Sequence, residues 1–155
     1  MAINGREDNL ENDLFFVCSV IEHIGRSTKN KRSEVVENLG EDELSRLLEL
    51  ADVLHCEPIE ATSRSLIQRC GLSEGNFDNV SACEYTVPTH FDIAKVYKRL
   101  VVDLANKQNI TPLNALMEVY TSWISDKIDD YNSSMYFESP QYLYASYTAG
   151  KAIAD

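Results

Sequence analysis

Seven cysteine and histidine side chains are the first places to look for chemistry in this 155-residue chain: Cys18, Cys56, Cys70, Cys83, His23, His55 and His90. Structural zinc is usually held by ligand pairs about two to four residues apart, because neighbouring ligands on one turn must converge on a tetrahedral ion. Here successive cysteines are 38, 14 and 13 residues apart, and His55-Cys56 is the one adjacent pair. The spacing predicts free core thiols, with no metal and no cofactor.

Signs of covalent catalysis are equally sparse. There is no Gly-x-Ser-x-Gly turn to expose a serine nucleophile and no cysteine-protease signature. Glycines at 5, 25, 40, 71, 75 and 150 are scattered, so no glycine-rich loop cradles a phosphate. No arginine stands four to six residues before a histidine, as in helical toxin ribonucleases. Glu22-His23 and His90-x-Asp92 are pairs that chance supplies. An enzyme would need a site assembled in space, and His90, Asp92 and Cys83 near the middle of the chain are its best candidates.

Charge and aromatic clusters offer more. Asp126, Asp129 and Asp130 fall at i, i+3 and i+4 near the end of a helical pattern, with Glu118 two turns earlier. The glycine and glutamate of an EF-hand are missing, so these acids read as a solvated face able to dock a basic partner. Arg26, Lys29, Lys31 and Arg32 form the one basic cluster and read as a solvated link, with anion contact as the alternative. A DNA regulator would place such residues beside a recognition helix. The helix that follows, Glu34 to Leu39, is short and carries Glu34 and Glu37. In the last third Tyr120, Trp123, Tyr131, Tyr136, Phe137, Tyr142, Tyr144 and Tyr147 crowd into 28 residues. Tyr142 and Tyr144 are separated by about 200° on a helix, so Tyr136, Tyr142, Tyr144 and Tyr147 are expected to give a contact surface for a partner or a second copy.

The elements that position these residues are helical. Leu14, Val17, Cys18, Ile21 and Ile24 recur at three- and four-residue steps after a cap at Asn12 or Asp13. Ser33 opens a short helix that Gly40 stops, and Leu44, Leu47, Leu48, Ala51 and Leu54 stripe the next. Pro58 starts a fourth helix, which ends before Gly71. Residues 72–88 are rich in turn formers, with weak strand character from Cys83 to Val87. Thr89 with Asp92 resembles a capping box, and Thr111-Pro112 and Ser139-Pro140 each open a further helix, the first running to Tyr131. The expectation is an all-α bundle of about six to seven helices in two halves. It comprises an arm (1–11), an N-terminal half (12–71), a connecting loop (72–88), a C-terminal half (89–150) and a tail (151–155).

Composition limits function. The net charge is −11, and residues 1–70 and 71–155 contribute −6 and −5, so no basic domain hides behind an acidic tail. Such a field repels nucleic acid and steers in basic proteins. No apolar run approaches the roughly 20 residues that span a bilayer, and the polar start is unlike a signal peptide. A cytoplasmic protein is expected.

The run from Leu14 to Glu22, together with Lys31 to Gly40, resembles small helical proteins of bacteria encoded beside ADP-ribosyltransferase-like toxins. Cys18, Glu22 and Gly40 carry the likeness, which covers about the first 70 residues. The second half, from Thr89 to Ser139-Pro-Gln-Tyr142, is similar to the same kind of protein. That resemblance implies a toxin-neutralising or accessory role. With the acidic, aromatic character of the chain, it leads to the expectation of a non-enzymatic interaction module.

Overall fold

The computed structural model describes residues 2–153, with side chains from residue 9 onward. Among these residues eight α-helices follow one another: α1 (Ala2–Thr28), α2 (Arg32–Leu54), α3 (Ile59–Cys70), α4 (Asn79–Ala82), α5 (His90–Gln108), α6 (Pro112–Tyr120), α7 (Trp123–Asp129) and α8 (Pro140–Ala149). A 3-10 turn, Met135–Phe137, precedes α8, and no strand occurs among the described residues. The fold is an all-α bundle.

Local chemistry sets most of the ends. Thr89 and Asp92 form the reciprocal capping box, with the Thr89 hydroxyl accepting from the Asp92 amide at 3.0 Å and the Asp92 carboxylate accepting from the Thr89 amide at 2.9 Å. Thr111 and Ser139 cap α6 and α8, each followed by proline at the first position. Such caps each stabilise a helix by about 1 kcal/mol. Gly40 breaks α2 into two segments. It has φ +77°, a left-handed conformation open to glycine at little cost.

Three boundaries differ from the sequence pattern. The helix expected from Asn12 or Asp13 begins at Ala2, so the backbone of the expected arm is part of α1. The helix expected from Thr111 to Tyr131 breaks at Thr121-Ser122 into α6 and α7. There the Thr121 and Ser122 hydroxyls donate to the carbonyls of Met117 and Val119, both at 2.7 Å, and compete with helix continuation. The connecting loop contains the short helix α4, capped by Asp78.

The core is continuous across the loop. α1 packs on α2, α3 and α5, and α5 packs on α6 and α8. Leu14, Val17, Ile21 and Ile24 of α1 join Val35, Val36 and Leu39 of α2 and Ile93, Leu100, Val101 and Leu104 of α5 in one apolar cluster. The two halves are thus a division of the sequence and not of the packing. Phe16, Ser19, Val20 and Glu22 are buried as well, so the middle of α1 is enclosed on nearly every side.

Candidate functional site

Two groups of polar residues stand out, one sealed and one open. The sealed group surrounds Glu22, whose side chain is 1% exposed, and Arg32, which is 0% exposed. Arg32 Nε donates to Glu22 Oε1 at 2.9 Å and Nη2 to Oε2 at 3.0 Å, the parallel fork that suits guanidinium and carboxylate. The other Arg32 donors reach Asn30 O (2.8 Å) and Asn79 Oδ1 (3.1 Å). Arg26, one turn after Glu22, donates to Glu22 Oε2 at 2.8 Å and to Pro88 O at 2.7 Å. The Tyr131 hydroxyl donates to Glu22 Oε2. Burial alone would raise the Glu22 carboxyl, but Arg32, Arg26 and Tyr131 outweigh it and hold it below the usual range.

The network ties α1, the start of α2, α4 and the segment after α7 to one point. Asn79 also donates to Asp129 O at 2.9 Å. The Asp129 side chain accepts from Tyr97 OH at 2.6 Å, and Tyr97 stacks on Tyr120 with ring centres 4.0 Å apart. Burial, then the nearby Glu22 charge, pushes the Asp129 carboxyl up to about 7. Gly25 makes room for the network. A methyl group there would overlap the Arg32 side chain.

This arrangement corrects two expectations. Arg32 is not a solvated anion contact, since its charge is spent on Glu22. Arg26 is bound to the same carboxylate, Lys29 lies 3.7 Å from Glu74, and Lys31 lies 3.9 Å from Asp126. Asp129 does not share an acidic face with Asp126 and Asp130. It is buried, where Tyr97 of α5 donates to it, whereas those two are exposed. Asp130 accepts from the Asn132 amide at 3.0 Å.

The enzymatic constellation does not assemble either. The Asp92 carboxylate is used in its cap, and the Cys83 thiol donates to Tyr85 O at 3.4 Å. His90 lies instead against His23, with ring centres 5.7 Å apart, and His23 Nδ1 is 3.0 Å from the buried Ser63 hydroxyl. Burial lowers both imidazole pKa values; Arg26 lowers both further, and His23 does so for His90. Of the thiols, Cys18 is buried and pushed up to about 12 by that burial, whereas Cys56 is exposed and is no core thiol.

Tyr136, Tyr142, Tyr144 and Tyr147 are all half-buried against the core. Leu143 and Ser146 are the buried side of α8. The Tyr142 hydroxyl donates to Ile153 O at 3.0 Å, and the Lys107 ammonium sits 4.2 Å above the Tyr144 ring. Internal contacts therefore use part of each of these two rings.

The open group is a groove of about 720 Å³. Its sides come from α1 (Asn9, Asn12, Asp13, Phe15, Phe16, Ser19), the end of α2 (Glu49, Ala51, Asp52, His55), the α2–α3 link (Glu57), Ile59 and Phe91. Phe91 is half-exposed; its ring stacks on Phe15 with centres 5.8 Å apart and lies tilted against His90 at 4.1 Å. Four carboxylates rim the apolar floor: Asp13, Glu49, Asp52 and Glu57. Among the described residues none has a salt-bridge partner. Burial and then the Asp52 charge raise the Asp13 carboxyl, with His55 opposing them. No family model, no curated protein and no solved structure matches the chain.

Sequence reasoning missed this groove. Its signal was present in Glu49, Asp52 and His55 at three-residue steps and in Phe15, which lies off the main α1 stripe. The sealed pair left a trace too, since Glu22 sits four residues after Cys18 inside an apolar pattern. What neither trace shows is the neighbour that each residue meets.

Proposed function

We propose that this chain is a non-enzymatic interaction module, an antitoxin-like or accessory regulator that engages another protein through its acidic surface. The observation that supports this most is the groove, where four carboxylates without salt-bridge partners among the described residues surround Phe15, Phe16, Ala51, Ile59 and Phe91. Apolar floor with a charged rim is the usual composition of a recognition surface. The −11 charge of the chain would speed encounter with a basic partner.

A hydrolase built on His23 and Ser63 is the rival that a specific contact favours. Ser63 is 1% exposed, and none of His23, Ser63 or His90 lines the groove. The test is capture of cross-linked partners from the native host by the wild-type chain and by a chain carrying Asp52→Lys and Glu49→Lys. A partner captured reproducibly by the first and lost by the second is expected. A chain that forms no specific protein complex while hydrolysing an ester or amide probe in a Ser63-dependent way would overturn the proposal.

A further inference from the structure

Helix α3 is lightly held. Its buried residues are Thr62, Ser63 and Leu66, and of these only Leu66 is apolar. The Thr62 hydroxyl is buried without a partner among the described residues, which costs stability. The far end of the helix is pinned: Arg69 donates to Glu43 Oε2 at 3.2 Å, and just beyond it Asn30 Nδ2 donates to Ser73 O at 2.9 Å. The first half meets α1 through one side-chain hydrogen bond among the described residues, between Ser63 Oγ and His23 Nδ1 at 3.0 Å. His23 in turn faces His90 of α5, with ring centres 5.7 Å apart. We propose that the His23–Ser63 contact is an acid-labile latch, which holds the first half of α3 on α1 while the His23–His90 pair is neutral and lets it go when the pair takes up protons.

The latch follows from which nitrogens can accept a proton. Ser63 is 1% exposed, and its hydroxyl has no other partner among the described residues. The hydroxyl therefore donates to Nδ1, and neutral His23 carries its proton on Nε2. A protonated imidazole donates at both nitrogens, which leaves the buried Ser63 proton without that acceptor. His90 offers no easier place, since its Nε2 is buried without a partner and a proton there would be an unsatisfied donor. The charges facing the pair are Arg26 and Glu22 of α1 and Glu60 of α3, with His90 itself the ionisable group from α5. Arg26 and Glu22 are bound to each other, and Glu60 is exposed, where water screens it. Burial is the first cause that holds both imidazoles below their ordinary value; at His90 the His23 ring adds to it, Arg26 adds to it at both, and Glu60 opposes it. The latch is thus fully closed above the ordinary histidine value of about 6.5. It loosens as pH falls from there through the depressed folded values. Ile59, at the start of α3, lines the groove, so acid removes part of one groove wall. The latch operates whether or not that groove binds a partner.

Amide hydrogen exchange of the full chain at about pH 7.5 and pH 5.5, corrected for the intrinsic rate at each pH, tests the latch. Protection over residues 59–66 should fall about tenfold, the combined effect of two imidazoles that charge near 6.5 once α3 opens. Residues 93–105 of α5 should lose no more than about twofold over the same interval. His23→Asn keeps an acceptor for Ser63 and removes the titration, so most of the pH dependence of α3 should disappear. His90→Gln should reduce it, and His55→Gln, at an exposed ring after α2, should leave it unchanged. Imidazole NMR titration of the wild-type chain needs no variant and decides the matter if His23→Asn does not fold. Both His23 and His90 should then titrate below about 6.5, in step with the loss of α3 protection. Unchanged α3 protection in the wild type, full pH dependence in His23→Asn, or imidazoles that titrate at or above the ordinary value would each overturn the latch. Equal loss in α3 and α5 would be acid unfolding of the whole bundle and would overturn it as well.

Discussion

Glu22 and Asp52 are both carboxylates on long helices, yet they occupy opposite physical situations. Glu22 is enclosed, accepts from Arg26, Arg32 and Tyr131, and is held ionised. Asp52 is exposed beside Asp13, without a salt-bridge partner among the described residues. A buried carboxylate is tolerable only when its charge and lone pairs are matched. A rim carboxylate needs no match in water, so its pairing remains available to another molecule. The difference separates groups that hold the architecture from groups free to recognise a partner.

The strongest way to break that separation is to remove a buried partner. Glu22→Gln leaves Arg32 charged and buried without its counter-ion, and a loss of about 3–5 kcal/mol is expected by urea unfolding. A loss below about 1 kcal/mol would mean that water reaches Arg32 and that the network is not sealed. Gly25→Ala attacks the same point sterically. The methyl group overlaps the Arg32 side chain, and overpacking of about 1–3 kcal/mol should outweigh the gain of up to about 1 kcal/mol in helix propensity.

The two buried acids can be told apart by pH. Glu22 has a depressed folded pKa, so its contribution is present above the unfolded carboxylate value and is lost as pH falls through the folded one. Asp129 runs the other way. With its folded pKa pushed up to about 7, its contribution is greatest at low pH and is lost as pH rises from about 4 to 7. Asp129→Asn keeps an acceptor for Tyr97 and removes the titration. The variant should therefore show a flatter or rising stability profile between pH 5 and 8 than the wild type. Identical profiles would show that Asp129 stays ionised throughout.

How much of this could be read in the chain follows from how far each signal reaches. Caps at Thr89, Thr111 and Ser139, and the break at Gly40, are set by contacts within a few residues, and those positions were legible. The ten-residue reach from Glu22 to Arg32 and the 109-residue reach to Tyr131 were not, because sequence spacing carries no distance across a tertiary fold. Arg32 therefore looked like a solvated link residue. The groove was hidden for the same reason, since it draws on α1, α2, α3 and α5 together. Asp129 was misplaced because the Thr121-Ser122 hydroxyls ended a helix whose apolar stripe continues.

A smaller effect is expected at the aromatic C-terminal end. Tyr144 and Tyr147 are half-buried, so changing both to Ser should cost about 1–3 kcal/mol together, less than truncating a fully buried aromatic ring. If the monomer stays folded while self-association or partner capture falls tenfold, these rings belong to an interface. If capture is unchanged, recognition resides elsewhere and the groove is the better-supported surface.

The smallest expected effect is the sharpest test of the comparison. Asp52→Asn changes one atom of an exposed side chain and leaves every hydrogen bond described here in place. An ordinary surface substitution shifts stability by no more than about 0.5 kcal/mol, and here the sign should be favourable, because the change removes a negative charge that raises Asp13. The Asp13 carboxyl, followed by NMR titration, should move down toward the usual carboxylate range. Capture of a basic partner protein should weaken at the same time, since the charge next to Asp13 is the one offered to that partner. A stability gain with a loss of binding is what a carboxylate placed for recognition predicts. A stability loss above about 1 kcal/mol would instead make Asp52 a member of the architecture, and the division between sealed and open acids would not hold.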